Sequence, residues 1–349
     1  MRRSALHAEH VRLGADMGRY AWAGMAMPWD YGAPLADEQR AVRERAGLVD
    51  TSQLQVVSVR GPGAVACLER LVPRRIEDMA PGISRYSVVL SRFGRIYDEA
   101  LILRLDRDHF WISHGCGGTQ KQLAKLGGEV EVEPLSDLHV LAVQGPSSAE
   151  LLAPLVDGPL GLPLLAHRPA TLAGHPVRLS RTGFTGELGF EVFCAATDVG
   201  SLWAALLDQG LLPYGYRCVD LLRVQAGFLL HPTDLSLAGS IWEAGFGWLI
   251  RGKQAEFIGH EAVARARGAA RHRFVGVRRP GERAVARGCP VLRSGQPVGV
   301  VTSAAYSPAS DETLCIARVD RAESGVGSVS LGSVLGGLTE LPFRARRTG

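Results

Sequence analysis

The sequence lacks the short motifs that mark several large enzyme classes. It contains no G-x-G-x-x-G after a strand, no P-loop and no G-x-S-x-G turn. These absences argue against a dinucleotide dehydrogenase, an NTPase and a serine hydrolase. The ten histidines show no H-E-x-x-H or other metal-ligand spacing, so no metal site is predicted. The six cysteines form no C-x-x-C pair, and we interpret all of them, Cys116 included, as free thiols in a reducing compartment.

Strong charge and long apolar runs are also missing. The net charge of +4 is too small to favour a nucleic-acid partner. No segment approaches the apolar length that crosses a membrane, and the two arginines near the N-terminus have no apolar run behind them, so a secretory signal is not expected. We therefore predict a cytoplasmic protein without a membrane or nucleic-acid partner. A length of 349 residues favours two or three domains.

Residues 1–134 and 135–262 show the same local order of elements. In the first segment VVSVR is followed by Gly61-Pro62 and a helix pattern, and in the second LAVQ is followed by Gly145-Pro146 and another helix pattern. This short repeat suggests two related α+β domains. From residue 263 to residue 349 short strands alternate with glycine and proline turns, which predicts a small all-β domain.

The stretch RTGFTGELGFEVF, residues 181–193, has three glycines at three-residue spacing before a strand. Glycines at this density favour a tight turn with positive φ or close backbone approach. The strand that follows carries Glu191 among apolar neighbours. Because a buried carboxylate without a partner is costly, Glu191 must either face water or have a dedicated partner. A ligand with two adjacent N–H donors, such as an aminopyrimidinone ring, would serve as that partner.

Four further features each have a structural alternative. Asp98 follows a turn in an apolar strand and is either a solvent-facing acid or a carboxylate beside a reacting nitrogen. Arg217 and Arg223 point in different directions on one predicted helix. Each is either an ordinary surface or ion-paired arginine or the binding group for a ligand carboxylate.

Trp248 is either a core residue or a stacking surface for a flat ligand. Eight arginines between positions 265 and 287 form a solvated face or attract a polyanionic ligand tail.

Several segments, taken in chain order, resemble the tetrahydrofolate-dependent aminomethyltransferase family, whose best-known member is the T-protein of the glycine cleavage system. The resemblance covers nearly the whole length. The matching segments are WAGMAMPWDY, EQRAVRERAGLVDTSQL, RTGFTGELGFEVF, DLLRVQAGFLL, EAGFGWLI and PVGVVTSAAYSP. The resemblance implies two related α+β domains and a C-terminal antiparallel β-barrel around a central channel that holds tetrahydrofolate.

The resemblance also implies roles for individual residues. Glu191 matches a glutamate that grips the pterin. Asp98 is matched to the second acid of a G-G-x-I-D-D segment, which is the family's catalytic aspartate. The remaining cofactor-binding candidates are Tyr86, Arg217, Trp248 and Arg346.

The departures from the family pattern lie on the substrate side of the implied site. With Asp98 in the second acid position, Tyr97 replaces the first acid, and His114 lies where the family has V-N-A. Gln39 and Gln53 replace two family histidines. Because the folate-gripping residues are kept while Tyr97 and His114 are changed, the pattern suggests the same cofactor with a different second substrate.

Three hypotheses for the function follow. The leading one is a transferase that moves a methyl or methylene group between a small N- or O-substituted substrate and N5 of tetrahydrofolate. The second is a glycine cleavage aminomethyltransferase that acts on a lipoyl carrier protein. The third is a non-catalytic folate-binding protein that maintains iron–sulfur enzymes. Relatives of that third kind carry K-G-C-Y-x-G-Q-E, whereas this chain has Glu256 in place of the cysteine.

Overall fold

The structure, a computed structural model, describes residues 2–115 and 117–347, and only the backbone of Leu237. The helices of this part are α1 (His7–Arg12), α2 (Leu35–Glu44), α3 (Ala64–Leu71), α4 (Gly118–Leu126), α5 (Ser148–Leu152), α6 (Val199–Asp208), α7 (Tyr216–Gln225) and α8 (His260–Arg265). Short 3₁₀ turns lie at Leu235–Leu237, Gly247–Ile250 and Arg321–Glu323.

The strands fall into two larger sheets, a barrel and one small N-terminal sheet. They are β1 (Arg2–Arg3), β2 (Tyr20–Trp22), β3 (Met25–Met27), β4 (Gly47–Asp50), β5 (Gln55–Arg60), β6 (Ser84–Leu90), β7 (Ile96–Asp106), β8 (His109–His114), β9 (Glu131–Pro134), β10 (Leu138–Gln144), β11 (His167–Leu172), β12 (His175–Ser180), β13 (Gly189–Ala195), β14 (Leu212–Pro213), β15 (His272–Pro280), β16 (Pro290–Arg293), β17 (Gln296–Ser307), β18 (Glu312–Asp320), β19 (Gly327–Leu331) and β20 (Val334–Thr339).

The first sheet has the strand order β6-β7-β8-β5-β9, and all its neighbouring strands are antiparallel. Helices α3 and α4 cover one of its faces. Alternate residues of β5 and β7, including Val57 and Ile102, meet Leu68 of α3 and Leu123 of α4 in one buried cluster, as the two-residue period of a strand requires. The segment predicted as a first α+β unit thus buries its apolar face under its own helices.

The second sheet has the order β11-β12-β13-β10-β4-β14. Helix α6 covers it, and Trp203 of this helix is fully buried with Phe190 and Val192 of β13. Strand β4 precedes the first sheet in the chain, yet it pairs with β10 in this second sheet. The predicted bounds at residues 134 and 262 therefore follow the order of elements along the chain, and their standing as domain limits remains a prediction.

Both predicted repeats have the same local structure, because β5 leads through Gly61 to α3 and β10 leads through Gly145 to α5. The φ angles of these glycines are 123° and 137°. A Cβ atom on Gly61 would lie 2.6 Å from the carbonyl oxygen of Glu129, and one on Gly145 would lie 2.4 Å from that of Arg45. The same turn thus requires glycine twice, which supports a relation between the two units.

The C-terminal strands close into an antiparallel barrel of order β15-β18-β17-β16-β19-β20, in which β20 pairs back to β15. Valines at alternate positions, such as Val275 and Val277 of β15, fill its interior together with Ala317 and Val319 of β18. The predicted fold, α+β with a C-terminal antiparallel β-barrel, is confirmed.

A buried polar cluster fastens the barrel to α7. Arg223 of α7 donates to Asp234 Oδ2 at 2.7 Å and to Ser303 Oγ of β17 at 2.6 Å. Ser303 Oγ in turn donates to Asp234 Oδ1 at 2.7 Å. Of the two alternatives for Arg223, the ion-paired one is therefore confirmed, although the pair lies in the interior and not at the surface.

Two chemical expectations can be compared with the described part of the chain. The free thiols found there are Cys67, Cys194, Cys218, Cys289 and Cys315, whereas Cys116 lies outside the described residues. Within the same part, no helix has both the length and the apolar character that a membrane span needs.

Candidate functional site

The glycine loop lies between β12 and β13, and its glycines are needed for packing. A Cβ atom on Gly183 would lie 2.0 Å from Oε1 of Gln144, and one on Gly189 would lie 2.4 Å from its Nε2. The Gln144 amide therefore occupies the space that two side chains would fill. It donates to the Thr182 carbonyl at 3.1 Å and accepts from the Thr185 hydroxyl at 2.9 Å. The loop is thus held around one side chain of β10.

Glu191 is placed by this loop on the face of β13 opposite Phe190 and Val192, since successive strand residues alternate. It is 9% exposed. The Thr182 hydroxyl donates to its Oε2. Burial raises the pKa of Glu191, and the Thr182 hydrogen bond acts against that rise. A desolvated carboxylate of this kind gains from additional N–H donors.

The second carboxylate of the loop, Glu187, has a structural role that the sequence reasoning missed. It forms a buried ion pair with Arg43 of α2. Arg43 also donates to Gln225 Oε1 of α7 at 2.7 Å, and Gln39 of α2 donates to the same oxygen at 3.2 Å. Gln225 reaches the barrel by donating to Ser307 Oγ at 3.1 Å. This polar clamp, residues 39, 43, 187 and 225, joins the loop to two helices and the barrel.

The C-terminal segment also contacts the loop. The Arg346 guanidinium lies 4.3 Å from the centre of the Phe228 ring, and that ring stacks on Phe184 of the loop with centroids 5.4 Å apart. Arg346 Nε donates to the Ala226 carbonyl at 2.9 Å, and the next residue, Arg347, donates its N–H to the Gly186 carbonyl at 2.7 Å. The predicted residue Arg346 is therefore brought beside the glycine loop.

Tyr97 lies at a β-bulge where β7 begins. Ile96 pairs with Leu90 and Asp98 pairs with Val89, so Tyr97 is the extra residue. Its side chain is 39% exposed and packs on the backbone at Gly118, where an added Cβ would lie 2.8 Å from its ring. Asp98 and Glu99 follow the bulge in regular register and lie on opposite faces of the sheet, as successive strand residues do.

Asp98 points toward α4 and is fully buried. The backbone N–H and the hydroxyl of Thr119, in the first turn of this helix, each lie 3.1 Å from Asp98 Oδ2. His114 Nδ1 lies 3.2 Å from the same oxygen. The structure therefore brings the predicted pair Asp98 and His114 together, in a setting where the carboxylate satisfies a helix N-terminus.

Glu99 points to the other face and contacts the predicted residue Tyr86. The Tyr86 hydroxyl donates to Glu99 Oε1 at 2.7 Å, and the backbone N–H of His231 donates to Oε2 at 2.6 Å. Burial raises the pKa of Glu99 to about 7, with further increases from the charges of Asp98 and Asp234, against the effect of these two donors. A carboxyl group poised near neutrality beside a candidate site residue is suited to proton transfer and charge stabilisation.

A count of residues gives a second possible match for the acids of the G-G-x-I-D-D segment, besides the one that puts Asp98 in the second position, and which of the two acids reacts remains a prediction. The segment GRIYDE begins at Gly94 and has the same length as the family segment. Without a gap, Asp98 takes the first acid position and Glu99 the second, and Tyr97 replaces the isoleucine. This second match could be found in the sequence by counting residues from Gly94. The structure adds the partners of the two carboxylates, which are Thr119 for Asp98 and Tyr86 with His231 for Glu99.

Trp248 forms an aromatic cluster with the predicted residue Tyr86. Their ring centroids are 6.4 Å apart, and Phe246 lies 5.8 Å from Tyr86 and 6.4 Å from Trp248. Trp248 is 41% exposed, so the interpretation as a fully buried core residue is wrong. A partly exposed tryptophan can offer apolar surface to a flat ligand, and the Arg74 guanidinium lies 4.9 Å from the centre of this ring.

Arg217 lies in the first turn of α7 and is partly exposed. Burial raises the pKa of Glu38, on α2, to about 7, and the charge of Arg217 acts against this shift. The described contacts do not join Arg217 to Glu191, so its cofactor role remains a prediction.

Comparison with known proteins supports the resemblance of the sequence segments. The profile of the GCVT N-terminal domain matches residues 6–254, and that of the glycine cleavage T-protein C-terminal barrel domain matches residues 272–337. The chain is 36% identical over 99% of its length to an aminomethyltransferase of Streptomyces avermitilis, of which 98% is covered. It is 35% identical over 93% of its length to the heme-dependent oxidative N-demethylase gamma subunit of Ectopseudomonas mendocina, of which 90% is covered.

A solved structure has the same overall fold. The aminomethyltransferase T of the glycine cleavage system from Bartonella henselae superposes with a TM-score of 0.88 at 28% identity, and the match covers 99% of each chain. Together, the barrel, the glycine loop and these matches identify the chain as a member of the glycine cleavage T-protein family of transferases.

Proposed function

We propose that this chain moves a methyl or methylene group between a small N- or O-substituted substrate and tetrahydrofolate. The observation that carries the proposal is a pair of desolvated carboxylates, Glu191 on the second sheet and Glu99 on the first, each with a raised pKa. Neither is consumed by an internal ion pair among the described contacts, and both accept hydrogen bonds only from neutral donors there. Such groups are suited to bind N–H donors and developing positive charge.

The residues present fit a folate. Glu191 offers a buried acceptor for paired N–H groups of a pterin, since its described side-chain partner is the single hydroxyl of Thr182. The partly exposed Trp248, together with Tyr86, offers an aromatic surface of the kind on which a benzoyl ring packs. The Arg346 guanidinium beside the glycine loop supplies positive charge near the site.

In the proposed mechanism tetrahydrofolate, when bound, supplies the amine nitrogen that accepts or releases the one-carbon unit. Glu191 binds and orients the cofactor. Glu99 holds a proton or stabilises positive charge at the reacting nitrogen, and the Tyr86 hydroxyl and the His231 N–H fix the direction of its carboxylate. Asp98 acts as a positioning residue that orders α4 and His114, and Tyr97 and His114 remain candidates for the substrate side. Proximity of the bound partners supplies much of the rate.

The name of one relative favours a source for the one-carbon unit. A gamma subunit of an oxidative N-demethylase suggests that an N-methyl amine is oxidised by a partner subunit and that this chain receives the one-carbon unit. The changed residues Tyr97 and His114 agree with a second substrate other than a lipoyl arm.

An aminomethyltransferase acting on a lipoyl carrier protein is the second candidate, and it is favoured by the names of relatives as similar as the one from Streptomyces avermitilis. The iron–sulfur maintenance hypothesis has less support, because Glu256 stands where that signature has its cysteine and is exposed beside α8.

The experiment that tests the proposal measures methyl-tetrahydrofolate formed from a panel of N-methyl amines, and methylene-tetrahydrofolate formed from formaldehyde or from a lipoylated carrier protein charged with an aminomethyl group. Product from the amines or formaldehyde, but not from the carrier, is the expected result. Ammonia release with the carrier alone would establish the second candidate instead. Folate binding without transfer from any donor would contradict both transferase hypotheses.

A further inference from the structure

One of the two hydrogen-bond donors described for Glu99 lies in a loop, residues 228–234, that belongs to neither sheet. The backbone N–H of His231 in this loop donates to Glu99 Oε2 at 2.6 Å, while the Tyr86 hydroxyl donates to Oε1 at 2.7 Å. Tyr86 is fixed by the pairing of β6 with β7. The direction of the Glu99 carboxylate therefore depends on what holds the loop in place.

A buried cluster joins this loop to the barrel. Asp234, at the end of the loop, is fully buried and accepts from the Leu230 N–H at 2.9 Å, so its carboxylate closes the loop on itself. Arg223 of α7 donates to Asp234 at 2.7 Å and to the Phe228 carbonyl at 3.2 Å, which fixes both ends of the loop. Ser303 of β17 donates to the other Asp234 oxygen at 2.7 Å. We refer to Arg223, Asp234 and Ser303 as the barrel anchor.

The loop and the barrel anchor act on the pKa of Glu99 in opposite directions. Burial is the main reason that this pKa is raised to about 7, and the charges of Asp98 and Asp234 raise it further. The His231 N–H and the Tyr86 hydroxyl act against the rise. Because a hydrogen bond to the charged form of a carboxyl group lowers its pKa, the pKa of Glu99 depends on how firmly the loop holds the His231 N–H.

Two further charged or titratable groups belong to the loop and its anchor. The His231 ring is mostly neutral near pH 7, since burial lowers its pKa against the charge of Asp98. The Arg223 guanidinium is paired with Asp234 at 2.7 Å and with Asp220 at 2.6 Å, so its positive charge is balanced by carboxylates of its own. A change of activity through about pH 7 would therefore report on Glu99.

We propose that Ser303 is a positioning residue for the transfer reaction, because it holds the His231 N–H against Glu99 through Asp234. The C-terminal barrel thereby sets the direction of the reacting carboxylate. This inference rests on the proposed function of Glu99. The links of the chain are short and buried, at 2.7 Å from Ser303, 2.9 Å within the loop and 2.6 Å to Glu99. In a desolvated interior such linked hydrogen bonds support one another.

The test measures kcat for one-carbon transfer over a pH series, on the full-length protein with saturating tetrahydrofolate and saturating donor. Ser303→Ala removes the hydroxyl but leaves Asp234 its charge and its Arg223 partner. The weakened His231 hydrogen bond then decides the sign, and the pKa of Glu99 rises. Because the charged form of Glu99 is the active one, the midpoint of the rise in kcat should move up by about 0.5 to 1 pH unit.

Two further readouts belong to the same variant. At pH 7 its kcat should be about two- to fivefold below that of the wild type, and the difference should shrink at higher pH. The dissociation constant for tetrahydrofolate should stay unchanged, because Glu191 lies on the other sheet and accepts from Thr182.

Thr302→Val is the matched control. Thr302 precedes Ser303 in β17, is fully buried, and donates its hydroxyl to the Ile316 carbonyl inside the barrel at 3.1 Å. The substitution removes one buried hydroxyl, as Ser303→Ala does, but leaves Asp234 untouched. It should lower the melting temperature without moving the midpoint of kcat.

A double variant separates positioning from stability. Adding Ser303→Ala to Glu99→Gln should lower kcat no further, because Ser303 acts on the reaction only through Glu99. A residue that merely stabilises the fold would lower kcat by the same factor whether or not Glu99 is present.

The outcomes distinguish this inference from the function on which it rests. If Ser303→Ala leaves the midpoint in place, shifts it no more than Thr302→Val, or lowers kcat equally in the Glu99→Gln background, Ser303 is a structural residue only and the inference is wrong, while the proposed function stands. If the wild type shows no rise of kcat that Glu99→Gln removes, the role proposed for Glu99 is wrong and the inference falls with it.

Discussion

At the scale of single residues, the proposed chemistry depends on two carboxylates that are held in different ways. Glu191 accepts a hydrogen bond from one side chain, the Thr182 hydroxyl. Glu99 accepts hydrogen bonds from the Tyr86 hydroxyl and the His231 backbone. Burial raises the pKa of both groups. A bound ligand that donates hydrogen bonds or positive charge would therefore stabilise the charged form of each carboxylate. In the proposal Glu191 binds the cofactor and Glu99 acts in catalysis, so a substitution at each residue measures one role alone.

Glu99→Gln should lower kcat by about 10²- to 10⁴-fold, the usual contribution of a positioned acid–base group. Because the pKa of Glu99 is about 7 and its charged form is the one that stabilises positive charge, kcat of the wild type should rise with pH through about 7. The variant should lose this rise. A pH profile of kcat for both proteins checks the prediction. If kcat of the variant rises with pH as it does in the wild type, the rise belongs to the titration of another group.

Glu191→Gln should weaken folate binding by about 10- to 100-fold, since a charged acceptor for N–H donors is replaced by a neutral one. The melting temperature should stay constant or rise, because the substitution removes a desolvated charge. Titration calorimetry and thermal unfolding give the two numbers. Thr182→Val is the matched variant, since it removes only the internal partner of Glu191. A large loss of stability without a loss of affinity would make Glu191 a structural residue.

Part of the local structure around these carboxylates could be predicted from the sequence. The glycine spacing and the apolar neighbours correctly indicated a turn before a carboxylate-bearing strand at Glu191. They could not reveal that Tyr97 is a bulge residue, because a bulge depends on pairing with the neighbouring strand. The match of the acids does not depend on the bulge, since a count of residues from Gly94 puts Asp98 in the first acid position and Glu99 in the second.

At the scale of elements, the polar clamp of residues 39, 43, 187 and 225 decides where the glycine loop sits. The loop, α2, α7 and β17 meet in it through hydrogen bonds that are buried. Gln39, which replaces a family histidine, is one of its members. Gln39 therefore helps to hold the glycine loop in place, besides being one of the residues at which the sequence departs from the family pattern.

Glu187→Gln should destabilise the protein by about 3–5 kcal/mol, because it leaves the buried Arg43 guanidinium without its ion-pair partner. The double variant Arg43→Met with Glu187→Gln should recover part of the loss, since no unpaired charge remains. Urea unfolding of the single and double variants checks this. Equal destabilisation by both variants would mean that the pair itself, and not the unpaired charge, provides the stability.

The N-terminal segment depends on Asp50 of β4. Asp50 accepts from the Ser4 hydroxyl at 2.6 Å, lies 3.0 Å from His10 Nε2, and accepts from the Ser52 N–H at 2.9 Å. Burial would raise the pKa of Asp50, but these hydrogen bonds and the interaction with His10 outweigh it and lower the pKa. The folded state therefore favours the charged form.

The linked stability is present above the ordinary Asp pKa of 3.8 and is lost as pH falls through the lower pKa of the folded state. Asp50→Asn should cost about 1–3 kcal/mol at neutral pH and should flatten the fall in stability below pH 4. Unfolding free energies measured over an acid pH series on both proteins test this. A variant that loses stability with acid as steeply as the wild type would show that another carboxylate is responsible.

The elements that were predicted from local patterns are present. In each of the two predicted repeats a strand leads through a glycine to a helix, because a local turn at Gly61 or Gly145 sets their limits. Other boundaries depend on contacts distant in the sequence: helix α2 ends at Glu44, and Gly47 begins β4. A side chain at Gly47 would collide with the Tyr214 ring, at 2.6 Å from Cδ1. Tertiary packing, which a sequence window does not contain, set that boundary.

At the scale of the whole molecule, the proposed site draws on all parts of the chain. Glu99 lies on the first sheet, Glu191 on the second, and the C-terminal segment reaches the glycine loop through Arg346. A ligand that contacts them together stabilises the native arrangement over the unfolded chain by mass action. We expect tetrahydrofolate at 100 times its dissociation constant to add about 2.7 kcal/mol to the unfolding free energy, as a shift of one cooperative transition. Calorimetric scans that show one part melting independently of ligand would contradict this expectation.

The order of the three regions along the chain could be predicted from composition, because the change from mixed to all-β patterning is visible near residue 263. The path between the sheets could not, since β4 leaves the first segment to pair with β10. The proposed site depends on such long-range pairings. The glycine loop alone suggested a ligand with N–H donors, and the resemblance of several segments suggested tetrahydrofolate, whereas the partners of Glu99 needed the fold.

The central claim is that Glu99, and not Asp98, acts on the reacting nitrogen. The most direct measurement is the single-turnover rate of one-carbon transfer, with saturating folate and the substrate found in the donor panel, for Glu99→Gln and Asp98→Asn. Folate affinity and circular dichroism confirm that each variant is folded. The account predicts a rate loss of at least about 100-fold for Glu99→Gln and a loss of no more than a few-fold for Asp98→Asn. A large loss for Asp98→Asn together with a near-normal rate for Glu99→Gln would contradict it.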